Sequence, residues 1–286
     1  MTLRIGTRGS ALARAQAGIV ARALGENVEI RVVRTAGDAT DRPISELGDG
    51  VFVTAIEDAL RRGEIDVAVH SLKDLPTEER SDLVIAAIPT REDPRDVLIT
   101  GARGGLATLP HGAIVGTSSP RRDAFVRAVR PDVTTRPIRG NVDTRLRKVR
   151  EGEYGGTILA LAGLRRLGVA VEGAEILDPH DHPPAPGQGA LAVQCRADDE
   201  ATVTAIRRLD DLDARQCVEA ERALLRLLGA SCELPLGAWA LTNDGVVILD
   251  AALAMDGRVR RAHAVGADPL TVARECADAL EAGVHV

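Results

Sequence analysis

The stretch Asp66–Thr77, DVAVHSLKDLPT, holds the residue types best placed to form a ligand site. Val67 and Val69, with Ala68 between them, give the β-branched run of a buried strand, and it stops abruptly at Lys73, Asp74 and Pro76. Charged groups at the carboxyl end of a buried strand are where open α/β sheets keep their ligands. The chain has two lysines, Lys73 and Lys148, against thirty-four arginines, so a lysine kept beside Asp74 points to a site rather than a solvated face. The same pair would also serve as an ordinary ion pair at a strand-end turn, and on these residues alone both readings stand.

Two further turns echo each other. Gly6-Thr7-Arg8-Gly9-Ser10 and Gly116-Thr117-Ser118-Ser119 each end a strand and open a helix, offering hydroxyls and backbone N–H groups at a helix N-terminus, an arrangement suited to anions. Ordinary N-caps would look the same. The arginines around them favour the anion reading: Arg8 in the first, Arg121 and Arg122 after the second, then Arg139 and Arg145 in RGNVDTR with Asn141. Guanidinium forks bind carboxylates bidentately, so the expected ligand is small and carries carboxylates.

The elements that must position these groups alternate. Strands are expected at Leu3–Thr7, Val28–Thr35, Leu83–Ile88, Ala113–Thr117, Val133–Ile138, Thr157–Leu161 and Ala190–Cys195. Helices are expected at Ala11–Leu24 with Ser10 as N-cap, Val51–Arg62 closed by Gly63, Pro120–Val129, Val142–Arg150 and Asp213–Leu228. The glycine-rich stretch 36–50 reads as a long loop, and Arg91–Arg95 (REDPR) as a hinge into a second lobe. Gly245–Val286 reads as two strands around Asp256-Gly257 and a helix from Pro269 to Ala282.

Composition narrows the function classes. The chain has 286 residues, a net charge of −6 and 45% hydrophobic residues, so it is long enough for two or three cores. Its aromatics are Phe52, Phe125, Tyr154 and Trp239, too few for base-stacking platforms, and with the negative charge they argue against nucleic acid. No apolar run suits a membrane span or signal peptide, and the scattered cysteines Cys195, Cys217, Cys232 and Cys276 suit a reduced compartment, which makes cytoplasmic the expected location. His180 and His182 in HDHPPAP could ligate a metal, but no partner cluster accompanies them, so a solvent-facing loop and no metal site are expected. Cys232 follows a helix C-terminus, where the dipole disfavours thiolate, and spacing alone leaves it a quiet structural cysteine.

Taken in order, LRIGTRGSALARAQA, AVHSLKDLP, EDPRDVL, VGTSSPRR, RGNVDTRL, ILALAGLRRLG, PGQGALAVQCR and the segment Cys232–Gly237 resemble the porphobilinogen deaminase (hydroxymethylbilane synthase) family over essentially the whole chain. The resemblance implies an α/β fold: two periplasmic-binding-protein-like lobes around a cleft, 1–92 with 190–208 and 93–189, plus a small α+β C-terminal domain, 209–286. It implies a transferase of tetrapyrrole biosynthesis that condenses four porphobilinogen molecules, with loss of ammonia, onto a dipyrromethane primer. The primer would be held by a thioether on Cys232, and hydrolysis would release the linear product. By the same resemblance Asp74 is catalytic. Lys73, Thr117, Ser118, Ser119, Arg121, Arg122 and Arg145 would bind the cofactor, and Arg8, Ser10, Arg139, Arg166 and Gln188 the substrate. A monomer is implied. The chain departs from the family's usual pattern at Asp49 and Thr54, where many members carry lysine, and at Ser231 and Glu233 beside the cysteine. Two other readings share the motifs: a non-enzymatic two-lobed binder of a small polyanion, and a cysteine hydrolase built on Cys232, for which no local histidine base is supplied.

Overall fold

Short Val- and Ile-rich runs alternate with capped helices and build two mixed sheets, each in its own unit of the chain. The computed structural model describes residues 2–25, 27–34, 53–78, 80–101, 104–170, 173–229, 234–255 and 257–282. One unit comprises Met1–Glu92 and Gly189–Gln216, the other Asp93–Gln188 and Cys217–Val286. The loop expected at 36–50, with Asp49, lies outside the described residues, as does Cys232.

In the first unit, β1 (Leu3–Thr7), β2 (Val28–Val32), β3 (Val67–Ser71), β4 (Leu83–Ala87) and β10 (Leu191–Arg196) form a sheet ordered β2-β1-β3-β10-β4. β1 runs parallel to β2 and β3, whereas β10 is antiparallel to both its neighbours. Helices α1 (Ala11–Leu24) and α6 (Glu200–Arg207) pack Ala17, Val20 and Ile206 against Ile5, Val67, Val69 and Val193 on one face. Helix α2 (Thr54–Arg61) packs Ile56 and Leu60 against Ala68 on the other. A strand buried on both faces has no alternation to display, which is why β3 reads as a continuous apolar run.

The start of β3 is fixed electrostatically. Arg4 on β1 donates through Nε and an η nitrogen to the two oxygens of Asp66, at 2.8 and 2.5 Å, and its backbone N–H adds a third bond at 3.0 Å. Asp66 is buried, and its pKa is lowered chiefly by the Arg4 hydrogen bonds, which outweigh the opposing effect of burial. A carboxyl whose folded-state pKa is lowered stabilises the fold above its unfolded-state pKa, and that stability is lost as pH falls through the folded-state value. Asp66→Asn is therefore expected to cost on the order of 3 kcal/mol in urea unfolding at neutral pH, the scale of a broken buried pair. The gap from wild type should close as the titration is carried into acid.

In the second unit, β5 (Asp96–Thr100), β6 (Ile114–Gly116), β7 (Thr134–Arg136), β8 (Gly156–Ala160) and β9 (Glu175–Ile176) form a sheet ordered β7-β6-β8-β5-β9. Again two parallel pairings, β6 with β7 and β8, adjoin an antiparallel insertion, here β5. Helix α3 (Pro120–Val129) places Val126 against Val115, Leu98 and Ile158, while α4 (Val142–Arg150) and α5 (Leu161–Arg166) cover Val97 and Leu159 on the other face. Helix α7 (Leu212–Leu227) begins in the first unit and ends in the second. There, β11 (Leu236–Asn243), β12 (Val246–Met255) and β13 (Arg258–Gly266) form an antiparallel sheet, and α8 (Pro269–Ala282) packs against it.

The fold is thus two α/β lobes and a small α+β element, the expected class. Strand β5 lies directly after the segment read as a hinge; the two strands expected within 245–286 are β12 and β13, and β11, ahead of that span, adds a third to their sheet. β11 escaped because its LGAWALTN run is rich in small residues and follows a loop-like proline.

Candidate functional site

In the first unit the chain leaves β1 at Arg8 and enters α1 at Ser10, whose hydroxyl accepts from Ala13 N–H at 3.2 Å. The Thr7 hydroxyl donates to the Ala13 carbonyl at 3.1 Å, so the turn is fastened twice to the first turn of the helix. β3, distant in sequence but paired directly to β1, ends at Ser71 and tightens into a single 3₁₀ turn, Leu72–Asp74. Together these ends enclose a cavity of about 70 Å³ lined by Arg8, Ser10, Gln16, His70, Ser71 and Asp74 over an apolar floor of Val53, Ile56 and Val69. Lys73 sits half-buried on the same 3₁₀ turn.

Three of the cavity's polar residues, Gln16, His70 and Ser71, lie within the motifs quoted above without being singled out there as site residues. Gln16 is buried and donates to the Ser71 hydroxyl at 2.8 Å. His70 is buried and meets Gln194 of β10 at 3.2 Å, and Gln194 in turn donates to Glu57 of α2 at 3.3 Å. Because the Gln194 amide nitrogen is spent on Glu57, its oxygen faces His70 and accepts from the ring Nε2–H, with the amide orientation assigned by this network. Burial pushes the His70 pKa down to about 4, so the ring is neutral at physiological pH. Only the neighbourhood of Asp74 in AVHSLKDLP could have pointed to His70, since Gln194 and Glu57 lie on separate elements.

In the second unit each hydroxyl oxygen of the turn after β6 has a backbone partner. Thr117 Oγ1 accepts from Ser119 N–H at 3.1 Å, Ser118 donates to the Ile138 carbonyl at 3.0 Å, and Ser119 caps α3 through Arg122 N–H at 3.4 Å. The first helical residue is Pro120, which needs no N–H partner. Arg121 and Arg122 then turn inward onto Asp96, the first residue of β5. Arg121 donates to Asp96 at 2.7 Å and to the Pro183 carbonyl at 2.5 Å, and Arg122 grips both carboxylate oxygens at 3.2 and 2.7 Å. Gln188 joins the same carboxylate at 2.9 Å. Burial alone would raise the Asp96 pKa, but the two guanidiniums hold it well below the usual carboxylate range.

Arg139 and Arg145 flank the N-terminus of α4, which Asn141 caps through Thr144 N–H at 3.0 Å. Arg145 is partly buried and donates to the Gly140 carbonyl at 2.9 Å. Its pKa is lowered, first by burial and then by the positive charges of Arg122 and Arg139. Arg145 therefore lies close enough to Arg122 and to Arg139 to feel both charges, an arrangement of donors that a polycarboxylate fits. Arg166 is the last residue of α5.

His180 is exposed, meets Trp239 edge-on with ring centroids 6.0 Å apart, and receives an Arg261 hydrogen bond at its carbonyl. His182, expected in a solvent-facing loop, is instead buried, with Nε2 lacking a hydrogen-bond partner. Pro183 and Pro184 explain the difference: this rigid segment packs under β11, where the Pro184 carbonyl accepts from Ala238 N–H at 2.9 Å. Among the described residues, no group of three His, Cys, Asp or Glu side chains is arranged to hold a metal ion, and no helix is long and apolar enough to cross a membrane.

Comparison with known proteins places this arrangement. Residues 3–204 match the family model described as porphobilinogen deaminase, dipyromethane cofactor binding domain, and residues 215–286 match its C-terminal domain. Among curated relatives, porphobilinogen deaminase of Acidothermus cellulolyticus is 53% identical over 88% of this chain and 78% of its own length. That of Nocardia farcinica is 49% identical over 93% and 81%, and that of Roseiflexus sp. (strain RS-1) is 46% identical over 98% and 95%. With both domains matched in order and relatives of about half identity covering most of its length, the chain belongs to the porphobilinogen deaminase family.

Proposed function

We propose that, in this transferase of tetrapyrrole biosynthesis, Asp74 is the catalytic carboxylate and the arginine set Arg121, Arg122 and Arg145 serves the side-chain carboxylates of a dipyrromethane cofactor held on Cys232. The enzyme condenses porphobilinogen with loss of ammonia; the cofactor, when bound, supplies the pyrrole carbon that starts the chain. The observation that carries the reading is the grouping of Arg122, Arg139 and Arg145: the Arg145 pKa is lowered first by burial and then by the charges of Arg122 and Arg139, a concentration of positive charge suited to an anionic ligand. Lys73, Thr117, Ser118 and Ser119 complete the proposed cofactor set, although the three hydroxyls act through the turn they fasten.

Arg8, Ser10, Arg139 and Arg166 are proposed to take the acetate and propionate groups of incoming porphobilinogen, with Arg8 and Ser10 opening on the Asp74 cavity. The three-domain division, the monomeric state and the cytoplasmic location belong to the same reading, as does the absence of a nucleic-acid partner.

The intact mass of the purified protein tests it. The mass should exceed that of the chain by two pyrrole units. A mass equal to the bare chain in protein made with porphobilinogen present would favour the anion-binding alternative, which needs the arginines and leaves Asp74 and Cys232 idle.

A further inference from the structure

Asp96 is buried and receives four donors: Arg121 and Arg122 on one oxygen, Arg122 and Gln188 on the other. A carboxylate offers about four lone-pair positions, so its capacity is filled. Its backbone is fixed as well, since β5 is paired on both edges and the Asp96 carbonyl accepts from Leu177 N–H at 2.9 Å.

The two arginines are not used alike. Arg122 meets Asp96 as a fork through Nε and one η nitrogen, and its other η nitrogen donates to the Ile158 carbonyl at 3.0 Å. Of the five N–H groups a guanidinium carries, about two on its outer edge are left for a ligand. Arg121, with only 6% of its side chain exposed, is held between Asp96 and the Pro183 carbonyl. Two guanidiniums on one carboxylate leave one net positive charge, matched to one ligand carboxylate.

Gln188 is itself anchored. It also donates to the Pro94 carbonyl at 2.6 Å, and the neighbouring Gly187 N–H donates to Glu221 of α7 at 2.7 Å. Glu221 is fully buried and takes a second backbone N–H, from Ala240 of β11, at 2.8 Å. The helix that leads toward Cys232 and the arginine pair thus share one hydrogen-bonded network.

We propose that Asp96 is the positioning residue of the cofactor subsite: it aims Arg122 at one cofactor carboxylate, makes Arg121 a structural strut, and is held in place by Gln188 rather than leaving Gln188 to the substrate. This rests on the reading of Arg122 as a cofactor ligand.

The test follows loading. Full-length chain made without porphobilinogen is mixed with it, and adduct mass is recorded against time with and without inorganic phosphate. Asp96→Asn keeps the shape but removes the shared negative charge, so loading should slow roughly ten- to a hundredfold, the scale of a lost charge-assisted contact. The guanidinium pair would then carry two uncompensated charges, so phosphate should slow loading several-fold more in the variant than in wild type. A merely structural lesion would not produce that selective competition. Gln188→Leu leaves every charge in place and should slow loading by less than Asp96→Asn, and it decides the matter if the Asn variant does not fold. Wild-type loading rates in Gln188→Leu or Asp96→Asn, or equal phosphate sensitivity in Asp96→Asn and wild type, would overturn the proposal. Failure of the wild-type chain to gain any adduct would instead overturn the cofactor reading beneath it.

Discussion

Cys232→Ser is expected to give a folded chain that gains no pyrrole mass and turns over no porphobilinogen, because a thioether anchor cannot form without the sulfur. The other cysteines support the assignment. Cys195, Cys217 and Cys276 are all buried. Burial raises the Cys195 pKa to about 11 and the Cys276 pKa to about 12, so at neutral pH their thiolate fractions are negligible. Cys195 sits inside the β-sheet core of the first unit, and Cys276 donates weakly to the Leu249 carbonyl at 3.6 Å within the C-terminal core. Both behave as small apolar side chains. Replacing each by Ala should therefore leave the adduct intact while costing packing energy. Peptide mapping checks the assignment, since an adduct found on any cysteine other than 232 would remove the anchor from this segment.

The part of the fold that local chemistry dictates was legible in the chain. Ser10, Ser119 and Asn141 each stand where a helix opens, and each caps through its side-chain oxygen. Strand-end turns could be read because glycine, hydroxyl and arginine cluster there without help from distant segments. β5 could not. Its first residue is a charged Asp96 within REDPRD, and only the partnership with Arg121 and Arg122, some 25 residues on, makes a buried strand of it. The same holds for the polar groups of the first cavity. His70, Gln194 and Glu57 come from β3, β10 and α2, and nothing in their local spacing announces that they meet.

These two omissions share a physical cause. In each five-stranded sheet one strand is inserted antiparallel among parallel pairs, β10 in the first and β5 in the second. Each inserted strand carries a buried polar side chain, Gln194 or Asp96, that orders a residue of the adjoining site. Burying such a group is costly unless its hydrogen bonds are met, and both are met by residues remote in sequence. Periodicity marks the apolar positions of a strand and is blind to a polar residue whose compensation lies elsewhere. That is why Arg121 and Arg122 could be singled out at a strand-end turn, and Gln188 through the family resemblance, while the carboxylate they converge on could not.

Asp74→Asn is expected to lower the single-turnover rate of cofactor-loaded enzyme roughly 100- to 1000-fold, or about 3–4 kcal/mol, the usual worth of one preorganised electrostatic group. The carbon–nitrogen bond of the substrate's aminomethyl group breaks with its electron pair leaving on ammonia, and positive charge spreads into the pyrrole. Asp74 lies exposed on a single 3₁₀ turn directly after a buried strand, and because β3 is tied to β1 and β10 the backbone that presents its carboxylate is held in place as that charge develops. Asparagine fills the same volume and still accepts hydrogen bonds, but it carries no charge. Glutamate keeps the charge and moves it by one methylene, so Asp74→Glu should be impaired yet faster than Asp74→Asn. Porphobilinogen should still bind, since its carboxylates meet arginines in both variants, and the loss should fall on the chemical step more than on KM. The comparison has to be made on enzyme whose adduct has been verified by mass, because an unloaded chain is silent whatever Asp74 does. Near wild-type turnover in loaded Asp74→Asn would transfer the cation-stabilising role to another group lining the cavity and leave Asp74 as a polar residue closing a strand-end turn.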